Sequence, residues 1–336
     1  MSFTTRCLGI ALAICASGMF STELAAQQTP SKVLVVNTQD ASVSVVDLAT
    51  MKEVERHKVG PRPYGIAVSN DGKTVAVGIE DEEKVKFFSL PGFKPKGEAK
   101  IGKMFNDHIV LTKDGKHILV ANFYSDDVVG IEVETMKEAF RIKDCSAPHV
   151  VRYGPQNKLI YVTCKKITGV AIIDPDNRKL VKFHQLTVNP RSLTFSPDES
   201  KVFFGSFWVN GFFEADLKTG KVTRLFSADP PKDNAQNQEV TYHGVQAVHD
   251  KIILAANEGR SYVDAFDMAT AKHLSRFSDV AKPCCIEPIP GTSSVLFSDI
   301  GDGTLQRVEV SPDGQMKSLG KAQVGKAPKR VAFLPN

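Results

Sequence analysis

Four cysteines and three histidines recur at equivalent places in this chain of 336 residues, and thiolate and imidazole are the side chains that hold soft and borderline metal ions. The cysteines are Cys145, Cys164, Cys284 and Cys285; the histidines are His108, His149 and His243. Sulfur and nitrogen donors together select copper or zinc. Beside them in register stand the cations Arg191, Lys329 and Arg330, and the guanidinium of Arg191 can grip a carboxylate or phosphate through two parallel hydrogen bonds. The cysteines admit a second outcome. An even number of them in an oxidising compartment pairs readily, here as Cys145 with Cys164 and Cys284 with Cys285. Neighbouring cysteines bridge only through strained geometry, which sets the second pair apart. Metal ligand, disulfide and plain thiol all stay open on the residues alone.

The elements that must position these groups are short strands in a repeat. A proline or equivalent turn residue, two variable residues and an apolar strand begin at Pro63, Asn106, Pro148, Pro190, Tyr242, Pro283 and Pro328. The starts step by 43, 42, 42, 52, 41 and 45 residues. A period of about 40 to 45 residues built from strands is that of β-propeller blades. Within a unit the strands are bounded by Asp-Gly, Asn-Gly and Pro turns, as in Gly65 to Val68, Asn70-Asp71-Gly72, Thr74 to Gly78 and Lys84 to Leu90. Third strands end in Asp at Asp47, Asp174, Asp216 and Asp267, and Thr-Met-Lys or Thr-Gly-Lys turns commonly follow third strands, as at Thr50, Thr135 and Thr219; both are structural punctuation. The first unit lacks an inner strand and the last has nothing after its own, so 329–334 is expected to complete the first blade. Closing a ring in this way removes exposed strand edges. The fold expected is all-β, a seven-bladed propeller spanning 27–336.

In a propeller the inner strand of each blade lines the channel and its first residues stand at one mouth. The first variable slot then holds Tyr64, Asp107, His149, Arg191, His243, Cys284 and Lys329, and the second holds Gly65, His108, Val150, Ser192, Gly244, Cys285 and Arg330. The second strand returns to the same mouth and brings Asn37, Asn122, Cys164, Asn257 and Asp299. The candidate metal ligands are His108, His149, His243, Cys164, Cys284 and Cys285. The candidate small-ligand residues are Tyr64, Asp107, Asn122, Arg191, Asn257, Lys329 and Arg330. A polar insertion over 227–241 falls on the same face and could cover it. His57, His117, His184, His249 and His273 fall on outer strands or exposed turns.

Bulk properties bound the rest. Arg6, the apolar run from Leu8 to Phe20 and Leu24-Ala25-Ala26 read as a secretory signal peptide over 1–26. That run is too short to span a bilayer, and no later stretch reaches the roughly 18 to 20 apolar residues a membrane helix needs. The chain is therefore expected to be exported to the periplasm without a membrane span. A net charge of +4 scattered among acidic neighbours argues against nucleic acid as a partner. No Gly-rich phosphate loop, His-Glu-x-x-His pair or Gly-x-Ser-x-Gly elbow is present, which removes the usual nucleophilic hydrolases.

The strand Tyr161-Val162-Thr163-Cys164 resembles the Tyr-Val-Thr-Asn signature of the YVTN-repeat propellers, with Val35-Val36-Asn37, Val120-Ala121-Asn122 and Ala255-Ala256-Asn257 as related versions. With Pro190 to Asp198, the whole mature chain resembles that family, is similar to YncE-like periplasmic proteins, and is more distantly similar to cytochrome d1-type and quinoprotein amine dehydrogenase propellers. The resemblance implies the fold rather than an activity. The mature chain has no Cys-x-x-Cys-His for covalent haem and a single Trp, Trp208, where quinone-dependent alcohol dehydrogenases dock their blades on several. The function expected is a periplasmic binding or accessory protein that holds a small ligand, a metal ion or a protein partner at the channel mouth. Two alternatives stand beside it: a metal- or cofactor-dependent oxidoreductase or lyase using the same mouth, and an interaction scaffold.

Overall fold

The computed structural model describes residues 29–103, 108–154, 159–206, 209–229 and 242–335. These form seven four-stranded antiparallel sheets arranged as the blades of a propeller. Blade 1 takes its inner strand from the C terminus: Pro328–Phe333 pairs with Lys32–Asn37, placing Val33 opposite Phe333 and Leu34 opposite Ala332. Blades 2 to 7 follow in chain order, with inner strands Pro63–Val68, Ile109–Leu111, Pro148–Tyr153, Thr194–Phe195, Tyr242–Val248 and Pro283–Pro288. The expected closure is thus present, and one blade is stitched from both ends of the chain.

Alternating apolar residues explain why the blades stack. Seven hydrophobic clusters each bridge one pair of neighbouring blades, including the pair of blades 7 and 1 built on Val33, Val35, Leu296 and Leu305. The second strand of each blade is buried on both faces along nearly its whole length and therefore reads as a mostly apolar run, such as Ile252–Asn257. The strand-ending aspartates are the expected punctuation: Asp47, Asp216 and Asp267 each accept hydrogen bonds from the backbone N–H and the hydroxyl of a Thr three residues on.

One local device shapes the mouth. Where the inner strand meets the second strand, the register slips in blades 1, 2, 4, 6 and 7. In blade 6, Tyr242 faces Asn257 and Gly244 faces Ala256, so His243 is the residue left out of the ladder. In blade 7, Pro283 faces Asp299 and Cys285 faces Ser298, which leaves out Cys284. A bulge of this kind turns the extra side chain away from the pleat. It carries His243 and Cys284 out of the sheet and toward each other.

Candidate functional site

The bulged residues of blades 6 and 7 meet. Cys284 Sγ lies 3.3 Å from His243 Nδ1 and 3.8 Å from Nε2. The Cys285 sulfur stands 3.1 Å from that of Cys284, and both are free thiols. Glu258, one residue past the second strand of blade 6, accepts the Nδ1 proton of His243 at 2.6 Å. Arg191, which enters from blade 5, places Nη2 3.1 Å from His243 Nε2. Lys329 from blade 1 sets Nζ 3.7 Å from Cys284 Sγ and 5.7 Å above the Tyr64 ring. Five blades thus contribute to one cluster at the mouth. His243 and Cys284 are buried, Cys285 is 6% exposed, and Glu258 keeps one edge toward solvent.

The proton positions follow from the donors. A guanidinium only donates and a carboxylate only accepts, so the neutral imidazole carries its proton on Nδ1 toward Glu258 and presents the Nε2 lone pair to Arg191. A carboxylate behind a histidine is the arrangement that fixes the ring of a metal-ligating imidazole. Burial pushes the Glu258 carboxyl up, but the hydrogen bond from His243 and the charge that ring carries when protonated, with Lys329 and Arg191 behind, outweigh it and bring the pKa down to about 2. Cys284 moves the other way. Burial, reinforced by Cys285, raises its thiol well above the ordinary value, and His243 and Lys329 offset only part of that. Without a ligand, Cys284 is a neutral thiol.

Donor atoms of His243, Glu258 and Cys284 all lie within 4.8 Å of one another, the one such group of three among the described residues. A tetrahedral ion about 2.3 Å from sulfur and about 2.1 Å from nitrogen needs the two roughly 3.6 Å apart. Cys284 Sγ and His243 Nε2 meet that spacing as they stand, at 3.8 Å. Two sulfurs on such an ion need about 3.8 Å, so Cys284 and Cys285 would open from 3.1 Å by a small side-chain rotation. Arg191 would have to release Nε2.

The other residues singled out in the sequence are dispersed. Cys164 is bonded to Cys145, which removes its sulfur from the ligand set, while Cys284 and Cys285 are not bridged, the outcome the sequence had left open. His149 is buried with its ring edge-on to Phe123, at 6.4 Å between centroids, in the blade that carries the disulfide. His108 lies in the channel with Arg152, Glu287 and Arg330. Asn122 and Asn257 are fully buried and spend their amides on blade construction. Asn122 donates to the Ile101 carbonyl, and Asn257 ties together Arg260 N–H, Asn210 and the Tyr262 hydroxyl. Asp107, Trp208, the signal-peptide segment and residues 230–241 of the insertion lie outside the described residues. Glu258 was missed. Its signal was its place directly after Asn257, at the strand end that returns to the mouth.

No protein-family profile matches the sequence, and no curated protein matches it. Solved structures do. Hydrazine synthase of Kuenenia stuttgartiensis is 17% identical with a TM-score of 0.67, covering 81% of this chain and 90% of its own. The periplasmic gluconolactonase PpgL of Pseudomonas aeruginosa is 16% identical with a TM-score of 0.70, over 90% of this chain and 98% of its own. Dihydro-heme d1 dehydrogenase NirN, solved in complex with DHE, is 15% identical with a TM-score of 0.65, over 91% of this chain and 75% of its own. At such identity the likeness establishes the propeller fold and leaves the activity to the site. No helix among the described residues is long and apolar enough to cross a membrane.

Proposed function

We propose that this chain is an exported, periplasmic propeller that binds one zinc(II) or copper(I) ion at its channel mouth, through His243 Nε2 and the sulfurs of Cys284 and Cys285. The observation that carries this reading is the convergence of a nitrogen, an oxygen and a sulfur donor from two blades within 4.8 Å. Glu258 then acts behind the imidazole as its positioning residue. Arg191 and Lys329 supply what buried thiols otherwise lack. Two thiolates and Glu258 carry three negative charges, which leave a divalent ion's site one charge negative; the two cations beside it offset that and lower the cost of ionising sulfur away from water. Binding displaces the thiol protons, so uptake of the ion releases protons to solvent. The disulfide between Cys145 and Cys164 and the periplasmic gluconolactonase among the similar folds support the exported location.

The test is a chelator-competition titration of the reduced protein, without oxygen, using zinc(II) and copper(I) in turn. One equivalent of one ion should bind, and Cys284→Ser and His243→Gln should each weaken binding. A wild-type protein that takes up neither ion stoichiometrically overturns the proposal.

A second reading has one observation behind it. A cavity of about 500 Å³ lined by Thr38, Arg62, Tyr64, Ile300 and Lys329 shares Lys329 with the cluster, which gives a small molecule room beside the thiols. A bound ion that turned over such a molecule would make the chain a metal-dependent oxidoreductase or lyase, and turnover lost on removing the ion would show it.

A further inference from the structure

Adjacent residues of a regular strand point to opposite faces of the sheet, so neighbouring cysteines on such a strand hold their sulfurs apart. Cys284 and Cys285 do not. Their strand, Pro283–Pro288, slips where Pro283 faces Asp299 and Cys285 faces Ser298, and Cys284 is left out of the ladder. The bulge breaks the alternation and brings the two sulfurs to 3.1 Å. Blade 6 makes room for it with Gly244. A Cβ there would stand 2.7 Å from the Cys284 carbonyl oxygen and 3.4 Å from Cys285 Cα, so the missing side chain lets the bulge pack.

The same geometry decides what a bridge between these sulfurs would be like. A disulfide holds its sulfurs about 2.05 Å apart, so the pair need close by only roughly 1 Å. Consecutive Cα atoms lie about 3.8 Å apart, whereas bridged cysteines ordinarily sit at about 4.4 to 6.8 Å, a range that includes the 5.1 Å of Cys145 and Cys164. A bridge between neighbours is therefore strained, and strained disulfides are the readily reduced ones. Access is narrow. Cys284 is fully buried and Cys285 is 6% exposed, so a reagent of a few atoms reaches sulfur here and meets Cys285 first.

We infer that Cys284 and Cys285 form a reversible oxidation site for hydrogen peroxide, closing into a disulfide between neighbours and reopening with a dithiol. The Cys285 sulfur bonds to one peroxide oxygen, the O–O bond breaks, and the thiol proton leaves with the other oxygen as water. The resulting sulfenic acid faces a second thiol at contact distance. The Cys284 sulfur bonds to that of Cys285, the S–O bond breaks, and the Cys284 proton departs with the hydroxyl as a second water. The two sulfurs give up two electrons and the peroxide takes both. A dithiol reverses the bridge by exchange and is itself oxidised to a disulfide. On the metal reading above, oxidation and the ion exclude one another, because a sulfur in a disulfide has no thiolate to give.

Treating the reduced, metal-free full chain with hydrogen peroxide, then mapping by mass the peptide that carries both cysteines, tests the inference. That peptide should lose two hydrogens and both free thiols, and dithiothreitol should restore them. Cys284→Ser should instead leave a Cys285 sulfenic acid that dimedone traps, with thermal unfolding confirming that the variant remains folded. Thiols that survive peroxide in the folded wild type, added oxygen without a bridge, a bridge that dithiothreitol leaves closed, or a Cys284→Ser variant with no trapped adduct each overturns it. Chelator competition with zinc(II) on the reduced and oxidised samples separates the two proposals: a reduced protein that binds no ion, or an oxidised one that still binds it, counts against the metal reading and leaves the oxidation site standing.

Discussion

Two cysteine pairs of one chain meet different fates. Cys145 and Cys164 are joined inside the apolar seam between blades 3 and 4, among Leu119, Ala121, Val128, Val151 and Val162. Cys284 and Cys285 remain thiols at the mouth, beside an imidazole, a carboxylate, an ammonium and a guanidinium. All four sulfurs are buried, so burial does not separate them. Surroundings do. A dry apolar seam offers a sulfur nothing but another sulfur, whereas the mouth offers charge to stabilise a thiolate and a nitrogen to share an ion. One pair holds the fold, and the other is free for chemistry.

The comparison can be broken by exchanging the consequences. The largest effect belongs to the mouth: replacing Cys284 and Cys285 together by serine should cost metal affinity about a thousandfold, roughly 4 kcal/mol, while the unfolding free energy stays within about 1 kcal/mol of wild type. Equal losses in both quantities would show the pair to be structural. Next comes the seam. Replacing Cys145 and Cys164 together should lower stability by about 3 kcal/mol, as expected for a crosslink that closes a loop of this length, with metal stoichiometry unchanged. Denaturant titrations of the oxidised wild type and the double variant would measure it.

Smaller effects sharpen the role of Glu258. Its folded pKa lies below the ordinary carboxylate value, so its contribution to stability is complete above about pH 4.5 and is lost as pH falls toward 2. Stability of the metal-free protein should therefore drop by about 2 kcal/mol over that window. Glu258→Gln should flatten this slope, and an unchanged slope would mean that the carboxylate does not pair with His243 in solution. The same variant should weaken the metal about tenfold, because the carboxylate orients the imidazole without touching the ion. A change at the level of the cysteine variants would instead make Glu258 a direct ligand.

Sequence periodicity carried the architecture because each blade repeats the same physical requirement: apolar strands buried on both faces and turns that need Asp, Asn, Gly or Pro. The proline-started inner strands at Pro63, Pro148, Pro283 and Pro328 are found where the spacing puts them, and so is the ring closure through the last strand. The shared slot of Arg191, His243, Cys284 and Lys329 was likewise visible, since residues in register on converging strands must come together at the mouth. What the pattern could not carry is the bulge, an unpaired residue that arises from how two strands meet and that turns His243 and Cys284 toward each other. His108 and His149, which adjoin or share that slot, come from blades 3 and 4 and face other surroundings, His149 beside Phe123 although its own strand also slips in register. The choice between one disulfide and two also lay beyond the pattern.

X-ray absorption at the edge of the ion bound to the reduced protein tests the central claim most directly. The mouth site predicts one ion per chain with two sulfurs at about 2.3 Å and a nitrogen at about 2.1 Å, the sulfur shell vanishing in the Cys284→Ser and Cys285→Ser double variant. A spectrum fitted by nitrogen and oxygen alone, or one that the double variant leaves unchanged, would contradict it.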